Sequence, residues 1–120
     1  IGDNTTIGNR CLLDARGGLY IGDNVTIASD VHIIGGDHDM NHPDFLPNLV
    51  PTVIQDYAWI ASRAMVLPSF IGRGAVVGAQ ALVIKDIGEL EIVGGCPGKV
   101  IGKRSPDALQ YNPSYRPLFG

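Results

Sequence analysis

The sequence is poor in the residues from which long helices and disulfide scaffolds are built. Glutamate occurs only at Glu89 and Glu91, and aromatic residues make up 7% of the chain. The two cysteines form neither a CxxC pair nor a zinc-ligand spacing with histidine. Apolar runs also fall short of the roughly 18 residues that span a bilayer. We therefore expect few long helices, no disulfide framework, no membrane insertion and a cytoplasmic location.

Positive charge is also scarce. The chain has 9 Lys and Arg residues against 12 Asp and Glu residues, so its net charge is −3 at pH 7. Proteins that bind nucleic acid or anionic membranes through charge carry a clear basic excess. We therefore expect no nucleic-acid partner.

Glycine and apolar residues, by contrast, are plentiful. There are 16 Gly and 8 Pro among 120 residues, and 45% of the chain is hydrophobic. Since average usage is about 7% Gly and 5% Pro, turns must be numerous in a chain that can still bury a core. One all-β domain with many turns is the expectation.

A six-residue repeat organises the chain. An Ile or Val is followed by Gly or Ala, and a small or β-branched residue stands four places after it, as in Ile27-Ala28 with Val31. A helix would space apolar residues three and four apart and a strand two apart, so this period fits a short strand plus a tight turn. Such units stack into a solenoid, because none can bury its apolar face alone. The aliphatic positions are Ile1, Ile7, Leu13, Ile21, Ile27, Ile54, Ile60, Val66, Ile71, Val77 and Val83.

The repeat is interrupted at three places. Leu13 and Ile21 are eight residues apart, which predicts a bulge of two residues between them, whereas the step from Val66 to Ile71 is one residue short. The largest break is the loop of residues 35–52. A loop this long inside a regular fold is usually functional or disordered.

The domain bounds and the turn residues are also those expected of a solenoid. Residues 1–104 form one domain with the long loop inserted, and residues 105–120 form an irregular or helical tail that packs outside or reaches a neighbouring subunit. The Asp-Asn pairs at 3–4 and 23–24 favour turns. The glycines that follow an aliphatic residue are expected at corners with positive φ: Gly2, Gly8, Gly22, Gly72 and Gly78.

These motifs resemble the hexapeptide-repeat acyltransferases, in particular the sugar and polysaccharide O-acetyltransferases. The resemblance covers residues 1 to about 104 and implies a left-handed parallel β-helix with triangular coils. The handedness comes from the family alone, because the general rule for parallel crossovers favours the right hand. The resemblance also implies acetyl-CoA as co-substrate, no metal, a sugar-type acceptor and a homotrimer with active sites between subunits. The chain opens inside the repeat without Met, so we expect a fragment.

Two of the three histidines, His38 and His42, lie in the long loop among Asp37, Asp39 and other polar residues. A neutral imidazole is the usual general base near pH 7, and a neighbouring carboxylate can orient it. The family's sugar O-acetyltransferases carry a His-Asp pair here. The resemblance therefore implies that His38 takes the proton from an acceptor hydroxyl, with Asp37, Asp39 and His42 beside it. A base at His42, two solvated histidines and a metal site are the alternatives.

Two further segments match the family near the acetyl-transfer site. Trp59 precedes the inward Ile60 and so points outward, where it packs against a subunit, a loop or a ligand. The resemblance implies that a backbone N–H of Ala61 or Ser62 faces the thioester oxygen. Asp14 and Arg16, in the bulge, face the acceptor or cap the turn.

The chain ends its repeats on a segment similar to the family's closing signature, Val-Ile-Lys-Asp at 83–86 followed by Gly-Gly-Cys-Pro-Gly-Lys-Val-Ile at 94–101. The resemblance implies that Lys85 and Lys99 bind the phosphates of coenzyme A, which require fixed cations. Ala79 offers backbone to the pantetheine arm. Ile84 stands where the family often has Thr, and Gly98 where it often has Ala; Lys103-Arg104 adds positive charge.

Four functions are compatible with these residues. An O-acetyltransferase acting on a sugar or nucleotide-sugar hydroxyl fits the loop best. A γ-class carbonic anhydrase uses the same solenoid with three zinc-binding histidines, but His32 and His38 are six residues apart, which puts them on different sides of one coil. An acyltransferase with an amine or antibiotic acceptor and a non-catalytic binding solenoid are the others.

Overall fold

Each six-residue repeat folds as a strand of two or three residues followed by a turn. The computed structural model describes residues 1–114. Its strands are β1 Thr6–Ile7, β2 Leu12–Leu13, β3 Leu19–Ile21, β4 Thr26–Ile27, β5 His32–Ile33, β6 Asp37–His38, β7 Pro47–Asn48, β8 Thr52–Ile54, β9 Trp59–Ile60, β10 Met65–Val66, β11 Phe70–Ile71, β12 Val76–Val77, β13 Leu82–Val83, β14 Glu91–Gly94 and β15 Lys99–Lys103. Within this range the one helix is a 3₁₀ turn, Pro106–Ala108, which is far too short to span a membrane.

Three parallel stacks form the sides of the solenoid. Face A contains β1, β4, β9, β12 and β14, face B contains β2, β5, β10 and β13, and face C contains β3, β8 and β11. Ile87 extends face C by pairing in parallel with Ile71. The chain passes from face A to B to C in every coil. We call the turns between them corners AB, BC and CA.

The lengths of the coils follow the three interruptions of the repeat. Thr6 pairs with Thr26, twenty residues later, because the bulge before β3 adds two residues to a regular coil of eighteen. Trp59 pairs with Val76 after only seventeen residues. Between them, Thr26 pairs with Trp59 across the long loop without any loss of register. The predicted bulge, short repeat and insertion are all confirmed.

The core consists of the aliphatic residues of the repeat and the small residues four places after them. Each aliphatic side chain buried from water contributes roughly 1.5–3 kcal/mol, and the stack repeats that gain from coil to coil. Ile1, the first residue given, is an exception at 78% exposed. The fully enclosed members include Ile21, Val25, Ile27, Val31, Ile33, Ile54, Ala58, Ile60, Ala64, Val66, Ile71, Ala75, Val77, Ala81 and Val83.

The structure corrects the expected role of the corner glycines. The residue with positive φ is the third after the aliphatic one, as at Asn24 (φ 56°), and the glycine directly after it has no such angle. A Cβ at Gly72 would instead lie 2.6 Å from the backbone nitrogen of Glu89 in the next coil. The close approach of successive coils therefore favours glycine at Gly2, Gly8, Gly22 and Gly72. It does not do so at every corner, because a Cβ at Gly78 would lie 3.3 Å from its nearest atom and alanine occupies the equivalent positions 28 and 61.

The segment after the last coil packs back on the outside of the solenoid. β15 pairs antiparallel with β14, and the Arg104 guanidinium then donates to the Tyr57 carbonyl at 3.0 Å and to the Tyr111 hydroxyl at 2.7 Å. Leu109 is buried. Arg104, expected to add positive charge near coenzyme A, thus anchors the tail. The tail residues Tyr115 and Pro117 lie outside the described residues.

Candidate active site

The long loop is an antiparallel hairpin that leaves the solenoid at corner BC. β6 pairs with β7, His38 opposite Pro47, and the Asp39 N–H donates to the Leu46 carbonyl at 2.9 Å. Thr52, the last residue of the predicted loop, already belongs to β8 and is buried. Residues 35–51 therefore form a defined structure on which a side chain can be held in place.

The hydrogen bond of His38 determines which ring nitrogen can act as a base. His38 Nδ1 lies 2.9 Å from the carbonyl oxygen of Phe45. Because a carbonyl only accepts, Nδ1 carries the proton of the neutral ring, and the lone pair is left on Nε2. The Phe45 ring also stacks on the imidazole, with centroids 4.2 Å apart and an 8° angle between the planes. His38 therefore presents one unprotonated nitrogen from a fixed ring.

His42 has the opposite arrangement. Its Nδ1 accepts a hydrogen bond from the Asp44 N–H at 3.0 Å, and the backbone N–H of His42 donates to the Asp39 carbonyl. Since Nδ1 is the acceptor, the proton of the neutral ring lies on Nε2. His42 thus shapes the turn of the hairpin and has no free lone pair to offer.

The carboxylates of the loop do not contact the proposed base. Asp39 Oδ1 accepts from the Asn41 N–H at 3.0 Å. Within residues 1–114, neither Asp37 nor Asp39 bonds to His38 through its side chain. The expected orientation of the imidazole by a carboxylate is therefore wrong, and the Phe45 carbonyl does this instead.

Asp14 and Arg16 support the base of the hairpin from the bulge before β3. The Arg16 side chain donates to both carboxylate oxygens of Asp14, at 3.0 and 2.9 Å, and its backbone N–H donates to Oδ1 at 3.1 Å. The Arg16 side chain, helped by backbone N–H groups of Arg16 and Gly35, lowers the pKa of Asp14 to about 2 against some opposing desolvation. A Cβ at Gly17 would lie 2.7 Å from the Gly35 carbonyl oxygen. The pair therefore caps the bulge against the start of the loop.

A second group of candidate residues lies at corner AB. The Ala61 N–H is committed to the Val77 carbonyl at 2.9 Å, so Ala61 is not the expected oxyanion donor. By contrast, the N–H groups of Ser62 and Ala79 have no acceptor within residues 1–114. Trp59 is 45% exposed on the adjoining face A. With the N–H of Ser29, which is also without an acceptor among the described residues, this corner offers free backbone donors on three successive coils.

The two parts of the closing segment come together at the end of the solenoid. The Gly98 N–H donates to the Leu82 carbonyl at 2.8 Å, and a shallow groove is lined by Lys85, Val93 and Val100 among others. Lys85 and Lys99 are exposed and form no ion pair with the described residues. A Cβ at Gly98 would lie 2.7 Å from the Leu82 oxygen, so the Ala common in the family would not fit here without a shift.

A single chain does not bring all the candidates together. His38 and Lys85 lie on corner BC, in the turns after β5 and β13, whereas Ser62 and Ala79 lie on corner AB. Face B separates the two corners. An open pocket of about 220 Å³ beside corner CA, lined by Tyr20, Gln55, Asp56 and Arg73, contains none of the candidates. The sequence analysis did not identify Phe45 as a residue of the candidate site. Its one sequence signal is that it is an aromatic residue in a polar loop.

Comparison with known proteins identifies the group to which this fold and site belong. No family model matches the chain. A hexapeptide-repeat acetyltransferase from Vibrio cholerae, solved with acetyl coenzyme A, superposes with a TM-score of 0.76 at 28% identity, over 85% of this chain and 58% of that one. The lipopolysaccharide biosynthesis O-acetyl transferase WbbJ of Escherichia coli K12 is 34% identical over 137 residues, covering 85% of this chain and 70% of WbbJ. The chain belongs to the hexapeptide-repeat acetyltransferases. Its fold is their left-handed parallel β-helix.

Two further proteins to which the chain is similar are named for their acceptors. A maltose O-acetyltransferase from Clostridium difficile 630 superposes with a TM-score of 0.81 at 30% identity, over 87% of this chain and 58% of that one. A chloramphenicol acetyltransferase from Klebsiella aerogenes is 53% identical over 57 residues, covering 47% of this chain. The chain matches only 27% of the length of that acetyltransferase.

Proposed function

We propose that the chain is an acetyl-CoA-dependent O-acetyltransferase that acts on a hydroxyl of a sugar, nucleotide sugar or polysaccharide precursor. The observation that carries this proposal is His38, whose Nδ1 is held by the Phe45 carbonyl so that Nε2 is free to accept a proton. Relatives named for lipopolysaccharide and maltose O-acetylation support the sugar-type acceptor.

The proposed reaction is a direct transfer. His38 Nε2 removes the proton of the acceptor hydroxyl while its oxygen attacks the carbonyl carbon of the thioester. The negative charge that develops on the thioester oxygen is met by the Ser62 N–H. The carbon–sulfur bond then breaks, and the proton on His38 passes to the departing coenzyme A thiolate. The products are the acetyl ester and coenzyme A.

The donor lies along the solenoid in this proposal. The cations of Lys85 and Lys99 bind its phosphates, because neither is neutralised by a described carboxylate. Its amide-bearing arm runs past corner AB, where the free N–H of Ala79 is a donor that an amide carbonyl can use.

The active site is proposed to lie between subunits of a cytoplasmic homotrimer. It combines the His38 hairpin of one subunit with the Trp59 side of a neighbour. Lys85 lies on corner BC, on the same side as His38, and is separated from Trp59 by face B. The separation of His38 on corner BC from Ser62 on corner AB supports this arrangement, because one subunit alone divides the base from the oxyanion donor.

An antibiotic acceptor is the second candidate, and the similarity to chloramphenicol acetyltransferase favours it. The chemistry at His38 and Ser62 is unchanged, and only the acceptor differs.

For the carbonic anhydrase alternative, residues 1–114 contain no group of three or more His, Cys, Asp or Glu side chains placed to hold a metal ion.

The first experiment measures release of coenzyme A from acetyl-CoA with a panel of sugars, nucleotide sugars and chloramphenicol. We expect His38→Ala to lower kcat by about 10²–10⁴, the usual contribution of a general base. His42→Ala is the matched control and should keep most of the activity if the hairpin remains folded. Full activity in His38→Ala with loss in His42→Ala would assign the base to His42. Activity with chloramphenicol and with no sugar would establish the second candidate.

A further inference from the structure

One residue of the hairpin contacts the proposed base with both its backbone and its side chain. The Phe45 carbonyl accepts the hydrogen bond from His38 Nδ1 at 2.9 Å, and the Phe45 ring lies flat on the imidazole at a centroid distance of 4.2 Å. We propose that Phe45 is a positioning residue for His38, in which the ring fixes the plane of the imidazole and the carbonyl fixes its tautomer. This inference rests on the proposed function.

The two contacts do different things to the imidazole. A hydrogen bond at Nδ1 fixes one atom of the ring, but the ring can still rock about the line that joins Nδ1 to the Phe45 oxygen. The second side-chain torsion of histidine is intrinsically broad, so the side chain itself does not prevent this movement. An aromatic ring packed face to face does prevent it. Together the two contacts fix the direction of the Nε2 lone pair.

The backbone conformation of Phe45 is unfavourable for a residue with a large side chain. Its φ is 49°, a region that L residues rarely adopt and that bulky residues disfavour most. Gly or Asn would adopt this angle in a turn more readily. Backbone strain of this kind concentrates at functional sites. The other eight non-glycine residues with positive φ all stand at solenoid corners, where the repeat imposes the angle: Asn4, Arg10, Asn24, Asp30, Tyr57, Arg63, Gln80 and Leu90.

The same backbone angle provides a clean variant. Phe45→Gly keeps the carbonyl that binds Nδ1 and suits the positive φ, so it removes the ring without removing the hydrogen-bond acceptor. We expect kcat to fall about ten- to a hundredfold, as for other displacements of a reacting group by about 1 Å. The KM for acetyl-CoA should stay unchanged, and the melting temperature should stay the same or rise.

Two matched variants separate positioning from folding. Phe45→Tyr keeps an aromatic ring and should keep a near wild-type kcat. Met40→Ala removes an apolar side chain that is 81% exposed in the same hairpin, and it should change nothing. If Phe45→Gly loosens the hairpin, Phe45→Asn replaces it, because Asn also tolerates positive φ and restricts the chain more.

Nitrogen NMR of the imidazoles provides a readout that does not depend on activity. The His38 signals, assigned by their loss in His38→Ala, should show one protonated Nδ1 and one bare Nε2 in the wild type, and a mixture of tautomers or broadened signals in Phe45→Gly. A fall in kcat with unchanged imidazole signals would overturn the positioning role. The positioning role would also be overturned if Phe45→Gly kept a wild-type kcat while His38→Ala was inactive. In that case His38 would remain the proposed base. A fully active His38→Ala would remove the proposed base, and this inference with it.

Discussion

Lys85 and Lys99 differ from three arginines of the chain in having no carboxylate partner within residues 1–114. Arg10, Arg16 and Arg73 each form an ion pair with an aspartate or glutamate. A cation that is already paired gains little from a further anion, because the new contact must replace the old one. Lys103 is unpaired as well, but Lys85 lines the closing groove and Lys99 stands between two of its lining residues, Gly98 and Val100. Position therefore makes Lys85 and Lys99 the proposed phosphate-binding residues.

Their removal should affect the donor and leave the chemical step intact. We expect Lys85→Ala and Lys99→Ala each to raise the KM for acetyl-CoA about ten- to a hundredfold, since a hydrogen bond to a charged group contributes about 1.5–3 kcal/mol, with little change in kcat. Steady-state kinetics at two ionic strengths will test this, because the loss should shrink as salt screens the wild-type contacts. Lys103→Ala, an exposed lysine of the same strand as Lys99, is the control. An equal increase in KM in that variant would indicate a general effect of net charge.

The choice of His38 as the proposed base rests on residue type and position, but its surroundings could not be predicted from them. His38 could be selected because a loop with two histidines interrupts an otherwise regular repeat. That Nδ1 faces the Phe45 carbonyl, and that His42 uses its own Nδ1 within the turn, depends on how the hairpin closes over seven residues. No local pattern encodes that closure. The expectation that an aspartate orients the imidazole failed for this reason.

The bulge before β3 and the hairpin act as one element of structure. Gly17 of the bulge approaches Gly35 and Val50 at the two ends of the hairpin so closely that a Cβ would lie within 3 Å of both carbonyl oxygens. Asp14 and Arg16 close the turn beside them. The bulge, which adds two residues to the coil before β3, therefore packs against the base of the hairpin that follows one coil later.

The ion pair in this bulge should make stability depend on pH in acid. The Arg16 side chain holds the pKa of Asp14 at about 2, below its ordinary value of 3.8. Because the folded chain has the lower pKa, the stabilisation is complete above about pH 4 and is lost as the pH falls toward 2. We expect the melting-temperature difference between wild type and Asp14→Asn to be constant near neutrality and to shrink below pH 4. A difference that persists at pH 2 would show that the charge of Asp14 is not its cause.

The elements of the fold were predictable because each repeat specifies its own strand and corner, and the same pattern recurs along the chain. A period of six specifies a strand and a corner, and the interruptions at Leu13, Val66 and residues 35–52 alter coil length without altering register. The role of the corner glycines was not predictable in the same way. The close approach of Gly72 to the backbone of Glu89 is between residues of different coils. The sequence of a single corner does not reveal this approach, and so it suggested instead that glycine is needed for the backbone angle of the turn.

The whole molecule divides the candidate residues between two corners of the solenoid. His38 and Lys85 are on corner BC, and Ser62 and Ala79 are on corner AB. If chemistry requires His38 and Ser62 around one thioester, corners from different copies must face each other. An isologous or cyclic arrangement of copies can satisfy this.

Mixed assemblies should therefore recover activity from two inactive chains. His38→Ala removes the base, and Ala79→Trp obstructs the exposed path of the donor arm at corner AB. Co-expressed in equal amounts, they should give about a quarter of wild-type activity, because random mixing leaves that share of interfaces with both native contributions. Light scattering should show a trimer. No recovery from co-expressed chains, or a stable monomer at assay concentration, would place the site within one chain.

The pairing of Thr26 with Trp59 across the hairpin has a consequence for how such a protein can change over evolutionary time. The two ends of the insertion are held by strands that pair with each other, so the pairing of the coils does not depend on how many residues lie between those ends. Doubling the length of such an insertion costs only about 0.6 kcal/mol in closure entropy. A lineage can therefore lengthen, shorten or replace this one segment while inheriting the coils unaltered, which under the proposed function would change the acceptor and keep the donor.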